Sequence, residues 1–221
     1  STVLEQVLAA DPGFAAGGES EFFPRRIARE LRDFPSGLAG VTTPSVEVWR
    51  QKHGPQVRTL FGDSFRVTDK RPDNFLHIGL IKAVLPSAKF VVTERDWRDV
   101  ATSVFATRLG PGQNYATRLQ DIRHYLDLQQ KLIEHWHSIL GNDLIRIRYE
   151  DLVSRPRPTI SALLECLGEH WDDQCLSFDK LRNSVLTASV WQVREPLHTK
   201  SVGRWTHFQA HFEPAFGDDL M

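Results

Sequence analysis

Cysteine is scarce in this chain of 221 residues. Only Cys166 and Cys175 occur, too few for a disulfide framework, and each lies in a helical apolar pattern that predicts a buried, reduced thiol. A surplus of charge is lacking too: 27 Lys and Arg against 28 Asp and Glu leave a formal net charge of −1. The basic residues are scattered rather than blocked, which gives no electrostatic footprint for nucleic acid or for an anionic membrane surface. No apolar run approaches the roughly 18 residues that a membrane-spanning helix needs. The chain starts at Ser1 with neither Met nor a charged n-region, so no signal peptide is legible; the expected compartment is the cytoplasm, unless a leader was removed upstream. Metal-ligand spacing is missing as well. His124, His135 and His137 share one helical stretch, but side chains two positions apart diverge, so surface histidines and no metal are expected. No tetratricopeptide period is visible. The length suits one α/β domain over 1–221 and would crowd two.

What is present is concentrated between residues 68 and 105, TDKRPDNFLHIGLIKAVLPSAKFVVTERDWRDVATSVF. Phe75, Ile78, Ile81 and Leu85 recur at helical spacing, Pro86 stops that helix, and Phe90-Val91-Val92 is an apolar run of strand length. A second helix follows, opened by Glu94-Arg95-Asp96. Phe65 to Thr68 reads as the strand that delivers Lys70. This β-α-β-α order predicts a parallel sheet with helices on its faces. Ligands gather at the carboxyl ends of such strands, so Lys70, Arg95 and Ser103 are expected at one rim. Two cations and a hydroxyl beside a helix N-terminus make an anion site, because free N–H groups and the positive dipole end point the same way.

The ordered motifs D-K-x-P-x-N-F-L-x-x-G-L-I, L-P-x-A-K-F and R-D followed by a Ser eight residues after the Arg resemble the sulfotransferases related to tyrosylprotein sulfotransferases and their bacterial relatives, often associated with tetratricopeptide repeats. The likeness continues through Tyr149-Glu150-Asp151-Leu152, through Ser189 to Pro196, and into Ser201-Val202-Gly203-Arg204-Trp205. The resemblance implies a P-loop-like three-layer α/β fold with a central parallel sheet flanked by helices. It implies 3′-phosphoadenylyl sulfate (PAPS) as sulfuryl donor, adenosine 3′,5′-bisphosphate as product, and no metal. It assigns Arg95 and Ser103 to the 3′-phosphate, Arg204 to a cofactor phosphate, Tyr149 to the adenosine, Lys70 to transition-state stabilisation, and Ser189 to the neighbourhood of the transferred group. A Gly-Glu element places the catalytic base on Glu19, with Glu21 as substitute. Ser1 and Thr2 look like the end of a 5′-phosphosulfate loop. The first strand and the Pro-Arg-Ser-Gly part of that loop are absent, so an N-terminally incomplete domain is expected, with those residues directly upstream.

Elsewhere the pattern predicts mainly scaffolding. Thr2 and Glu5 fit a capping box ahead of the Val3, Leu4, Val7 and Leu8 stripe, and Asp11-Pro12-Gly13 ends that helix. Gly17-Gly18 marks a tight loop or a close backbone approach. Short helices are expected over 25–34 and 45–53, with a loop at Gln51 to Pro55 and His53 solvated. Gly110-Pro111-Gly112 reads as a turn. A long helix runs from Tyr115 to His137, a strand over 144–148, and a helix through Leu163, Leu164 and Leu167 to Gly168. Trp205 and Phe208 are expected to pin the C-terminal tail by burial. Lys200 is a further cation near Arg204.

The chemistry so implied is in-line sulfuryl transfer to a hydroxyl acceptor, whether peptide tyrosine, phenol, alcohol or glycan, with Glu19 taking the proton. A P-loop kinase would need G-x-x-x-x-G-K-[ST] and a Mg²⁺-holding acid, and neither is seen. A truncated module that binds adenosine 3′,5′-bisphosphate without turnover is the non-catalytic alternative. Neither the acceptor nor the oligomeric state is legible.

Overall fold

The computed structural model describes residues 2–62, 66–107, 113–180 and 197–216, with the side chains of 178–180 excepted. Ser1, the 110–112 turn and Ser189 with its flanking motif lie outside them. The chain is α/β and mostly helical, and it divides into two compact units: residues 1–90 with 167–196, and residues 91–166 with 197–221.

In the first unit, α1 (Thr2–Ala9) is followed by β1 (Phe14–Ala16), α2 (Phe22–Glu30), α3 (Thr43–Phe61), β2 (Arg66–Thr68) and α4 (Ile78–Val84). The helix α1 buries Leu4, Val7 and Leu8 as its apolar stripe requires. Glu5 does not cap it. That carboxylate is buried and bonds elsewhere, as described below. β1 was not legible in the sequence, since three residues between two glycine turns are too short to show a period. It pairs in parallel with β2, in the register Phe14↔Arg66 to Ala16↔Thr68.

The expected loop at Gln51 to Pro55 is helical instead. Thr42 caps α3 by accepting from the Ser45 N–H, and the helix continues through Pro55 to Phe61. The reason is tertiary. Trp49 and His53, one turn apart, meet the rings of Phe22 and Phe23 on α2 at 4.8–6.4 Å. His53 is therefore half-buried rather than solvated, and burial lowers its pKa. Phe22, Phe23, Ile27, Trp49, Leu80, Ile81 and Val84 make one core cluster. Each fully buried side chain of this size contributes about 1.5–3 kcal/mol, enough to hold a proline inside a helix.

The second unit holds β3 (Phe90–Glu94, from its second residue), α5 (Trp97–Ala106), α6 (Leu119–Leu140), β4 (Leu144–Arg148), α7 (Tyr149–Ser154), most of α8 (Pro156–Leu167) and α9 (Gln209–Phe216). β3 pairs with β4. Ala101, Ile122 and Phe212 form its core, with Trp97, Leu126 and Trp205 packed against them. The tail is thus pinned by Trp205 and Phe212; Phe208 stays 40% exposed, contrary to expectation. Both cysteines are free thiols, but only Cys175 is buried, and burial raises its pKa to about 11; Cys166 is exposed. Among the described residues no helix is long and apolar enough to cross a membrane.

Candidate functional site

A parallel strand pair sends both chains out at the same edge. Past that edge β1 leads into Gly17-Gly18-Glu19 and β2 into Asp69-Lys70. The Lys70 N–H donates to the Gly18 carbonyl at 2.6 Å, which extends the pairing by one step. Both glycines are required. A Cβ on Gly17 would stand 2.0 Å from the Thr68 carbonyl oxygen, and Gly18 has φ +64°. The result is an ion pair: Lys70 Nζ lies 2.7 Å from Glu19 Oε1, with the lysine side chain 9% exposed and the glutamate 40%. Glu21 is engaged differently, 2.6 Å from Arg71 and 3.7 Å from Arg25.

Two further carboxylates brace this edge. Glu5 Oε1 accepts from the Gly18 N–H and from the Thr68 hydroxyl, both at 2.9 Å, and the Thr68 oxygen accepts in turn from the Gly17 N–H at 3.2 Å. Asp69 accepts the Asn74 side-chain N–H at its backbone carbonyl, at 3.3 Å, and its carboxyl is pushed up to about 6, chiefly by desolvation. Its own surface remains exposed, so the desolvation is partial. Neither Glu5 nor Asp69 was found from the sequence as a support. Glu5 reads there as a capping residue because local spacing is all a sequence offers.

In the second unit the cationic residue after β3 is Arg95. Asp96 caps α5 by accepting from the Arg98 N–H at 2.8 Å and pairs with the Arg98 guanidinium at 2.7 Å. Burial works against ionisation of Asp96, but the bonds from Arg98 outweigh it and hold its pKa below the ordinary value. Glu150 accepts the Asp96 N–H at 2.9 Å and so ties α5 to the segment after β4. Arg95 lies over the ring of Tyr149, 4.7 Å from its centroid. It donates from Nη2 to the Ser201 carbonyl and stands 3.7 Å from Asp99. Its Nε is buried without an acceptor among the described residues. A buried charged donor left in this way is a group an anion would satisfy.

Ser103 is half-buried on the same helix, α5. Arg204 is exposed at the start of the 3₁₀ turn Arg204–Phe208, with Lys200 exposed nearby in sequence. Thr2 is buried as the first residue of α1. The structure therefore brings Glu19 to Lys70, and Arg95 to Tyr149 and the 201–205 segment. Sequence reasoning missed Asp99, whose only signal was its position one helical turn after Arg95. Among the described residues no group of three or more His, Cys, Asp or Glu side chains is arranged to hold a metal ion.

Comparison with known proteins adds four findings. Residues 1–173 match the family described as "Sulfotransferase family". An uncharacterised protein of Aquifex aeolicus (strain VF5) is 28% identical over 228 residues, covering 97% of this chain and 30% of that protein. Protein-tyrosine sulfotransferase 2 of Gallus gallus is 24% identical over 224 residues, covering 93% of this chain and 60% of that protein. The chain thus spans between about a third and three-fifths of the length of these two relatives. Among solved structures, the sulfotransferase domain of the Synechococcus PCC 7002 olefin synthase superposes with a TM-score of 0.68 at 17% identity, over 93% of this chain and 82% of that one, which shows a shared fold.

Proposed function

Since the chain belongs to the sulfotransferase family, we propose that it transfers a sulfuryl group from PAPS to a hydroxyl acceptor. The observation that carries the reading is the Glu19–Lys70 pair at the carboxyl edge of β1 and β2. An acid–base reaction at an oxygen needs a proton acceptor and a cation in one place, and this edge offers both.

In this reading Glu19 takes the acceptor's proton as the acceptor oxygen bonds to sulfur. Lys70 neutralises the negative charge left on the donor's bridging oxygen as the old S–O bond breaks. Adenosine 3′,5′-bisphosphate is the leaving product. Arg95, whose Nε has no acceptor among the described residues, would grip the 3′-phosphate together with Ser103 and Arg204, and Tyr149 would face the adenosine. Ser189, Ser1 and Thr2 belong to the expected donor site as well. Charge neutralisation falls to lysine and arginine side chains in a role that phosphoryl transfer often gives to Mg²⁺. One relative's name points to protein tyrosine, so a peptide hydroxyl is the first acceptor class to try.

The test incubates the protein, with its native N-terminus, with PAPS and in turn a tyrosine peptide, a phenol, an aliphatic alcohol and a glycan. Acceptor-dependent formation of adenosine 3′,5′-bisphosphate with a mass gain of one sulfuryl group supports the reading. Tight bisphosphate binding with no turnover for any acceptor would mark a binding module. Phosphoryl transfer from ATP would move the chain to the kinase alternative.

A further inference from the structure

We infer that Asp99 is a positioning residue for phosphate recognition, holding in place the backbone on both sides of Arg204 while lying beside Arg95. The inference rests on the proposed reading of Arg95 and Arg204 as phosphate ligands. Asp99 is 1% exposed on α5. Its Oδ2 accepts the Gly203 N–H at 2.7 Å and its Oδ1 accepts the Trp205 N–H at 2.9 Å. The two amides flank residue 204, whose own side chain is exposed. The same carboxylate lies 3.7 Å from the Arg95 guanidinium, which also donates to the Ser201 carbonyl.

One buried acid thus meets three points of the segment and side chain that would face the anion. A carboxylate suits this work better than an amide. Both of its oxygens accept, whereas asparagine would accept at one and turn an NH₂ toward the other N–H. The packing agrees: Arg98 covers the face of Trp205 at 4.1 Å from the ring centroid, a second contact of this segment with α5, and Gly203 takes φ +70°. A negative charge beside proposed phosphate ligands weakens anion binding by Coulomb's law. Its presence there is explained if geometry outweighs that cost, which makes the sign of the mutational effect decisive.

The experiment measures binding of adenosine 3′,5′-bisphosphate and adenosine 5′-phosphate by calorimetry for the wild type, Asp99→Asn and Asp99→Glu, with thermal unfolding as a check on folding. The wild type is expected to prefer the bisphosphate. Asp99→Asn should lose about tenfold or more of that preference, the scale of one charge-assisted hydrogen bond, while 5′-phosphate affinity changes little. Equal losses for both nucleotides would reduce Asp99 to a structural staple. Tighter bisphosphate binding would mean that its charge, not its geometry, matters; either outcome overturns the inference. A wild type without any preference would overturn the phosphate-ligand reading itself. A wild-type preference retained intact in Asp99→Asn would overturn only the role of Asp99. If Asp99→Asn does not fold, Asp99→Glu decides, because it keeps two accepting oxygens but displaces them by one methylene: loss of the preference supports the inference, and full retention overturns it.

Discussion

Glu19 and Lys70, in the first unit, are held against each other, whereas Arg95, in the second, is held against an aromatic face, a carbonyl and a buried acid. The first pair satisfies itself. The arginine does not, and keeps a buried Nε donor without an acceptor among the described residues. Groups that exchange proton and charge during a reaction gain from a partner close by. A group that grips a permanent anion gains from donors left open for it. We therefore propose different tasks for the two sets of residues, turnover for Glu19 and Lys70 and affinity for Arg95. In both, a buried carboxylate does the bracing: Glu5 at the edge of β1 and β2, Asp99 on α5.

The largest expected effect tests the turnover side. Glu19→Gln keeps the shape but cannot accept a proton, so turnover should fall roughly 10²-fold or more, with the donor dissociation constant nearly unchanged. Lys70→Ala should depress turnover and also loosen the donor. Near-wild-type turnover for Glu19→Gln would break the division and move attention to Glu21. The next effect tests the affinity side. Arg95→Ala should weaken adenosine 3′,5′-bisphosphate by about 10–100-fold while sparing adenosine 5′-phosphate, the range expected for a charge-assisted hydrogen bond. Equal weakening of both nucleotides in calorimetry would remove the 3′-phosphate assignment.

A smaller effect concerns the brace of the first unit. Glu5→Ala removes the acceptor shared by the Gly18 N–H and the Thr68 hydroxyl in a partly buried setting, leaving the hydroxyl only the Ala15 carbonyl at 3.4 Å. Chemical denaturation should show a loss of about 1–3 kcal/mol; an unchanged midpoint and slope would mean that water takes over the site. The smallest effect contrasts the units by pH. Asp69 has a folded pKa raised from 3.8 to about 6. The folded state binds its proton more tightly, so its contribution is full below the unfolded value and is lost as pH rises toward 6. Asp96, held low by Arg98, has the opposite sign: its contribution is present above the unfolded value and is lost as pH falls through its folded pKa. Because Asp69 keeps exposed surface, its effect is discounted to no more than about 1 kcal/mol. Asp69→Asn should flatten the stability profile between the two pKa values, and an unaltered profile would show that the carboxyl titrates normally.

Much of this arrangement was legible in the sequence, and the failures have a common origin. The helix ending at Leu85, the strand Phe90–Glu94 and the capped helix after Asp96 follow from apolar period, a proline stop and an Asp in the cap position, all of them local signals. The need for glycine at 17 and 18 was readable as well, because few other residue types tolerate such backbone. What went unread were partners far apart in the chain. The helix through Pro55 depends on the rings of Phe22 and Phe23. The exposure of Cys166 and Phe208 depends on which face of each segment packing selects.

The sequence by itself determined the family motifs, the residue types able to carry charge at the site, and most of the strands and helices that present them, β1 excepted. Periodicity, capping and backbone restriction act within a few residues and leave their mark on the order of letters. Only the tertiary structure decided that Glu19 meets Lys70 across 51 positions, and that Asp99 meets Gly203 and Trp205 across 104 and 106. A hydrogen bond depends on where two atoms stand in space, and that position is fixed by packing and strand pairing between segments the sequence lists far apart.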